Sequence, residues 1–283
     1  MIREIAKGLL LFYLWLFVQT TTAQEALALK SSKWEAIFQG VEICDLESKE
    51  PRLMRGHAVR LDLQTPKLSF LATPDNGDRP DHTDGLRTSS FLQRYKCQLA
   101  INASPFSPIH AEEGKPQKIV GLTVSRGRVV SPETPSYPAL LLTKDNRAKI
   151  AVPPFQLDGI YNAVCGFNIV LREGKPVPGG KDVHPRTAAG ISRDGKTLYL
   201  LVIDGRQKDY SLGATTQEVG QWLAYLGAYE GLNLDGGGTT TLVIEHKDGY
   251  KVVNRPIHKG KPGTERVSAS HLGIFAPPLK KDR

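Results

Sequence analysis

The densest chemistry in the chain lies in Asn233-Leu-Asp-Gly-Gly-Gly-Thr-Thr-Thr241. A carboxylate at what reads as a strand end, Asp235, is followed by Gly236, Gly237 and Gly238, where no side chain blocks the backbone. Successive backbone N–H groups at such a turn can form a concave anion-binding nest, and the hydroxyls of Thr239 and Thr240 add donors. Three consecutive glycines carry a high entropic cost, so ligand binding explains them better than a bulge between two strands. No Gly-Lys-Ser/Thr follows the glycines, which excludes a Walker phosphate loop.

Two known phosphate-handling designs look similar. In the actin, Hsp70 and sugar-kinase group, a strand-end Asp-x-Gly-Thr-Thr loop sits at the start of a domain, with a long chain after it. Here only a short tail follows Asp235, so that reading falls away. The second design matches over many short motifs in order. These are Arg186-Thr-Ala-Ala-Gly-Ile191, Asp204-Gly-Arg206, Ser211-x-Gly213, Glu218, Asn233-x-Asp-Gly-Gly-Gly-Thr-Thr240, Asn254-Arg-Pro256 and Glu265-Arg-Val-Ser268. The succession resembles the phosphodiester glycosidase domain of the mannose 6-phosphate uncovering enzyme and its bacterial relatives. Asn102-Ala-Ser-Pro-Phe106 is similar to that family's Asn-Gly-x-Phe-Phe segment, although Ala103, Ser104 and Pro105 depart from its glycine-rich form. The likeness is dense over about residues 160 to 275 and thin before residue 95.

The resemblance implies hydrolysis of a glycosyl-1-phosphodiester, with an N-acetylglucosamine-type sugar linked through phosphate, releasing free sugar and a phosphomonoester. Phosphate is an excellent leaving group. The demand is therefore for charge neutralisation and support of an oxocarbenium-like centre rather than for strong general-acid help. Arg186 and Arg206 suit the first task, because guanidinium binds phosphate bidentately. Asp235 is the expected nucleophile, or base for a water, with Glu218 or Asp204 as a catalytic partner. Asn102, Thr187, Ser211, Asn233, Gly236, Gly237, Gly238, Thr239 and Thr240 complete the expected substrate-binding set. Plainer roles stand beside these. Glu218 can be the capping-box glutamate of a helix, Asp204-Gly205 can be a turn, and His184 can be an ordinary loop histidine. Arg266 and Asn254 read as supports behind the pocket. No cofactor is required; Asp204 and Asp235 could hold a divalent cation, but no spacing demands one. A non-catalytic module binding a phosphorylated envelope polysaccharide is the alternative reading.

The elements that must position these groups are mostly short strands. Trp34 to Leu46, His57 to Leu63, Leu68 to Ala72, Gln98 to Ala103, Ile119 to Val124, Arg128 to Val130, Ala139 to Thr143, Ala148 to Val152 and Ala163 to Leu171 read as strands by alternation or apolar runs. Residues 104 to 118 read as an irregular excursion. Thr187 to Ser192 and Thr197 to Ile203 form a hairpin around Arg193-Asp-Gly-Lys196. Thr88 to Tyr95 reads as a helix, and Thr215 to Leu226 as a stronger one: Thr215 and Glu218 suit a capping box, and Val219, Trp222, Leu223 and Leu226 form an apolar stripe. Ala228 to Leu234 and Thr240 to Glu245 are strands on either side of the glycines, Lys247 to Tyr250 a turn, and His271 to Phe275 a final strand. The pattern predicts one α+β domain of mixed, largely antiparallel β-sheets flanked by a few helices.

Composition fits this: of 283 residues, 40% are hydrophobic and 23% charged, ordinary values for a globular chain. Arg3 and Lys7 precede the apolar run Gly8 to Val18, and small residues lead up to Gln24. Residues 1 to 23 therefore read as a signal peptide. Residues 24 to 95 read as the domain's N-terminal strands and 96 to 283 as the glycosidase core. The mature protein is expected to be secreted or periplasmic, with no stable membrane insertion. Removing Arg3, Lys7 and Glu4 with the leader lowers the formal charge from +8 to +7. The basic residues form no dense block, and a solvated surface is an equal reading for most of them; the resemblance implies a phosphorylated glycan or sugar-1-phosphodiester as the partner and no nucleic acid. Cys44, Cys97 and Cys165 allow one disulfide and one thiol, and the sequence does not choose the pair.

Overall fold

A computed structural model describes residues 27–280; the expected leader lies outside them. Three antiparallel sheets enclose the core. The largest has nine strands. Its path runs Leu29–Ser31, Val41–Ser48, Met54–Asp62, Thr197–Ile203, Arg186–Ile191, Glu230–Asn233, Asn168–Arg172 and Lys175–Pro176, with Glu35–Phe38 paired to Val41–Ser48. The second runs Arg128–Ser131, Thr123–Ser125, Ile160–Cys165, Ala139–Thr143 and Ala148–Ala151. The third runs Gly249–Val252, Leu242–His246, Leu99–Asn102, His271–Phe275 and Ser69–Ala72.

The hydrophobic pattern explains the layering. The central strand Thr197–Ile203 is almost wholly apolar because both of its faces are buried. Leu198, Leu200 and Val202 enter the cluster shared by all three sheets, with Val59, Leu99, Ile101, Leu140 and Val164. Tyr199, Leu201 and Ile203 point to the other face. There they meet Val219, Trp222 and Leu223 of the helix Thr216–Leu226, hereafter α2 (α1 being Thr88–Tyr95). Thr215 caps α2 through a capping box with Glu218, and Gly227 ends it in a left-handed conformation, φ 100°. Helix α1 lays Phe91 and Leu92 over the third sheet.

Both expected helices form, and the pairings are antiparallel, so the single antiparallel domain holds. The class shifts from α+β toward mainly β, since among the described residues two α-helices serve three large and two small sheets. Three expected strands are each two. Ile119 to Val124 breaks around Gly121, φ 87°, Ile119 ending Pro116–Ile119 and Val124 lying in Thr123–Ser125 of the second sheet. Trp34 to Leu46 folds back at Gly40, φ 68°, as a hairpin. Ala163 to Leu171 breaks at Gly166, whose missing side chain lets Asn233 O approach, and its halves join different sheets. The region 104 to 118 contains the short strands Phe106–Ser107 and Pro116–Ile119 (the latter running to the edge of the excursion). Residues 247 to 250 open a hairpin onto Gly249–Val252.

Candidate active site

Antiparallel pairing gathers the motif residues at one end of the large sheet. Arg186 begins its strand opposite Ile203, and Asn233 ends its own opposite Ala188. The third sheet meets this end through Asn102, the last residue of Leu99–Asn102. Asn102 is fully buried, and its side chain ties three segments together. Its Nδ2 donates to Asp235 O at 2.7 Å, while its Oδ1 accepts from Thr187 Oγ1 at 2.8 Å and Thr241 N at 3.0 Å. Asp235 N donates to Ala103 O at 2.8 Å, so the backbone entering the glycine turn is held from both sides.

Asp235 sits at the start of that turn. Thr239 Oγ1 donates to its Oδ2 at 2.7 Å. Burial pushes the carboxyl up to about 6; the Thr239 hydroxyl, the Arg266 guanidinium and the Gly236 N–H restrain the rise. Gly237 N–H donates to Pro185 O at 2.8 Å, so the turn is not the fully open nest read from the sequence. The glycines do something else. A Cβ on Gly236 would lie 2.7 Å from Pro185 O, one on Gly237 would lie 3.2 Å from Arg206 Nη2, and one on Gly238 would collide with the Arg266 guanidinium. Gly237 also has φ 65°. Bare backbone therefore lets two arginines close on the turn that begins at Asp235.

Each of these arginines has a histidine beside it. Arg206 Nη2 lies 3.3 Å from His184 Nδ1, and Arg266 Nε lies 3.2 Å from His258 Nδ1. Arg186 joins the cluster from the strand, with Nε donating to Ala214 O at 2.8 Å and Nη2 to Asp182 O at 2.6 Å. Burial lowers its pKa; the charges of Asp182 and Glu218 oppose the fall, and that of Arg206 adds to it. This crowding of like charges is costly unless an anion offsets it.

The other expected carboxylates serve the scaffold. Asp204 is buried; it accepts from Asn254 Nδ2 at 2.8 Å and from Arg255 N at 3.0 Å. Ser211 is buried too, its hydroxyl donating to Asp204 O at 2.5 Å. Together they fix the loop that carries Arg206. Glu218 completes the capping box by accepting from Thr215 N at 2.7 Å, and it pairs with Arg52. Both carboxylate oxygens of Asp204 and Oε2 of Glu218 are thus engaged by the scaffold, which gives these two residues anchoring roles. Asn233 Oδ1 and Thr240 Oγ1 are buried with no partner among the described residues. No cluster of three or more His, Cys, Asp or Glu side chains suited to a metal occurs there either.

The sequence underrated two groups. Arg266 had a signal in Glu265-Arg-Val-Ser268, yet only the fold shows it against Gly238. His258 had none, lying in the small Ile257–His258 and Lys261–Pro262 hairpin.

The fold is shared with solved structures. A hypothetical protein from Synechocystis superposes with a TM-score of 0.68 at 13% identity, over 89% of this chain and 64% of that one. The zebrafish N-acetylglucosamine-1-phosphodiester alpha-N-acetylglucosaminidase catalytic domain, auto-inhibited by its pro-peptide, gives 0.61 at 20% identity, over 89% and 85%. A protein from Burkholderia pseudomallei gives 0.67 at 13% identity, over 89% and 97%. This chain thus spans less than two thirds of the Synechocystis protein. No curated protein matches it significantly. The sequence profile of the phosphodiester glycosidases matches residues 95–275, most of the chain, and the chain belongs to that family.

Proposed function

We propose that the protein hydrolyses glycosyl-1-phosphodiesters, with an N-acetylglucosamine-type sugar as the expected glycosyl group, and that it acts outside the cytoplasm. The observation that carries the reading is one carboxyl of raised pKa, Asp235, at a glycine turn on which Arg206 and Arg266 close. Water adds to the anomeric carbon, the bond from that carbon to the phosphate oxygen breaks, and a phosphomonoester leaves. The phosphoryl group passes from one negative charge to two. Arg206, Arg266 and Arg186 therefore bind the departing group more strongly than the substrate, which lowers the barrier. Asp235 in its ionised form faces the developing oxocarbenium, as nucleophile or as base for the water. An ordinary O-glycoside would demand a second carboxyl as proton donor, and Asp204 and Glu218 are engaged elsewhere.

The test is release of free sugar from a panel of sugar-1-phosphodiesters, UDP-N-acetylglucosamine included, by the wild type and by Asp235→Asn. Turnover that falls at least about 10³-fold in the variant, with the fold retained, is expected for a group acting at the reaction centre. Turnover unchanged in the variant would keep the reaction and remove Asp235 from it. Binding of a phosphorylated glycan without any turnover would make the protein a binding module.

A further inference from the structure

Arginine has N–H donors and no acceptor. Where a guanidinium N–H meets a histidine nitrogen, that nitrogen must be an unprotonated acceptor, and a neutral ring then carries its proton on the other nitrogen. This occurs twice at the glycine turn. His184 Nδ1 lies 3.3 Å from Arg206 Nη2, and His258 Nδ1 lies 3.2 Å from Arg266 Nε. The two pairs come from unrelated parts of the chain: His184 and Arg206 from the segments before and after the central hairpin, His258 and Arg266 from the small hairpin and the loop behind it. They nevertheless reach neighbouring residues of one turn, Arg206 at Gly237 and Arg266 at Gly238.

We propose that His184 and His258 are positioning residues that act through Nδ1. Each would hold one arginine against the turn, so that the two guanidiniums form the two arms of a clamp for the non-bridging oxygens of a single phosphodiester. The proposal rests on the glycosidase reading for its substrate, although the clamp itself needs only a phosphate. The alternatives for each arginine are few. Neither forms an ion pair with a carboxylate among the described residues; the histidine is the side-chain hydrogen-bond partner of each. A neutral acceptor fixes a long side chain without engaging the guanidinium in an ion pair, so its other N–H groups stay available to an incoming anion; Asp235 acts on Arg266 through charge alone, with no hydrogen bond between them. The environment favours neutral rings. Burial lowers the pKa of both histidines; Arg206 and Arg186 beside His184, and Arg266, Lys259 and Arg87 beside His258, lower them further, with Asp182 alone opposing the shift at His184.

Asparagine and leucine separate positioning from other roles. Asparagine places an amide oxygen near the former Nδ1 and offers nothing where Nε2 was; leucine keeps bulk and offers no acceptor. The protein would be labelled on its imidazoles and the tautomers read by long-range ¹⁵N–¹H correlation. Kinetics on a simple N-acetylglucosamine-1-phosphodiester and binding of inorganic phosphate would follow for His184→Asn, His184→Leu, His258→Asn and His258→Leu. Expected are Nε2–H tautomers for both rings, asparagine variants within about threefold of wild type, and leucine variants about 10- to 100-fold lower in kcat/KM, the range for a misplaced binding group. An Nδ1–H tautomer, or leucine variants equal to wild type, would overturn the proposal. Asparagine variants as weak as leucine ones would also overturn it, by assigning the role to Nε2. If the wild type cleaves no phosphodiester but phosphate binding follows the same order of variants, the clamp stands and the glycosidase reading falls.

Discussion

At the scale of single residues, the site trades stability for charge. An Asp in the unfolded chain titrates near 3.8, and burial raises Asp235 to about 6. The folded state thus holds this proton more tightly than the unfolded one. Stability is unaffected below about 3.8, falls as pH rises toward about 6, and carries the full deficit above that, on the order of 3 kcal/mol. Asp235→Asn should therefore melt higher than wild type at pH 7.5 and no higher at pH 3.5, as thermal unfolding at the two values would show. If the ionised carboxylate is the working form, kcat should rise with pH along an acid limb centred near 6. Gly238→Ala tests the close approach of Arg266. The new Cβ would displace the end of a flexible side chain rather than backbone. Turnover should fall about 100-fold while the melting temperature moves little, since a displaced binding group affects rate more than fold.

At the scale of elements, α2 shows how packing overrules propensity. Gly220 lies mid-helix, where alanine would ordinarily gain about 1 kcal/mol. Its added Cβ would collide with Val170 O of the neighbouring strand, and backbone cannot swing aside as a side chain can. Overpacking of this kind costs about 1–3 kcal/mol. Gly220→Ala should therefore destabilise, with a lower urea midpoint and an unchanged m-value. The same element was legible beforehand, because Thr215, Glu218 and the apolar stripe all signal one helix. Strands with long apolar runs, such as Thr197–Ile203, were legible for a similar reason. The errors lie where a glycine interrupts a run. Gly40 and Gly166 were visible as residues, but a strand with a glycine and two strands joined by one share the same hydrophobic pattern. Pro116–Ile119 and Gly249–Val252 escaped because short strands with exposed positions carry little periodicity.

At the scale of the molecule, the N-terminal strands are part of the domain that the family match begins after. Met54–Asp62 pairs with Thr197–Ile203 along seven residue pairs, and Ser69–Ala72 forms the edge beside His271–Phe275. A chain beginning at residue 96 would expose both sheets, and should show no cooperative melting transition. The candidate site follows the same logic. Asp235, Arg186 and Arg206 could be read from motif order, since each lies at or beside a strand end. The place of Arg266 and His258 depended on which loops converge, and local sequence does not encode that. The engagement of Asp204 and Glu218 was hard to read for a related reason: a carboxylate held by an Asn amide, an Arg or a helix N-terminus looks in sequence like a free one.

The three cysteines give this architecture a further use. Each is a buried free thiol, in a different hydrophobic cluster: Cys44 under α2, Cys97 beneath α1, Cys165 in the second sheet. Burial pushes all three up to about 12, so none offers a thiolate to solvent while the fold is closed. A thiol reagent can then modify a cysteine only when its own cluster opens. The native chain contains three internal reporters of local unfolding, one for each layer, and variants keeping one cysteine at a time would show which layer parts first.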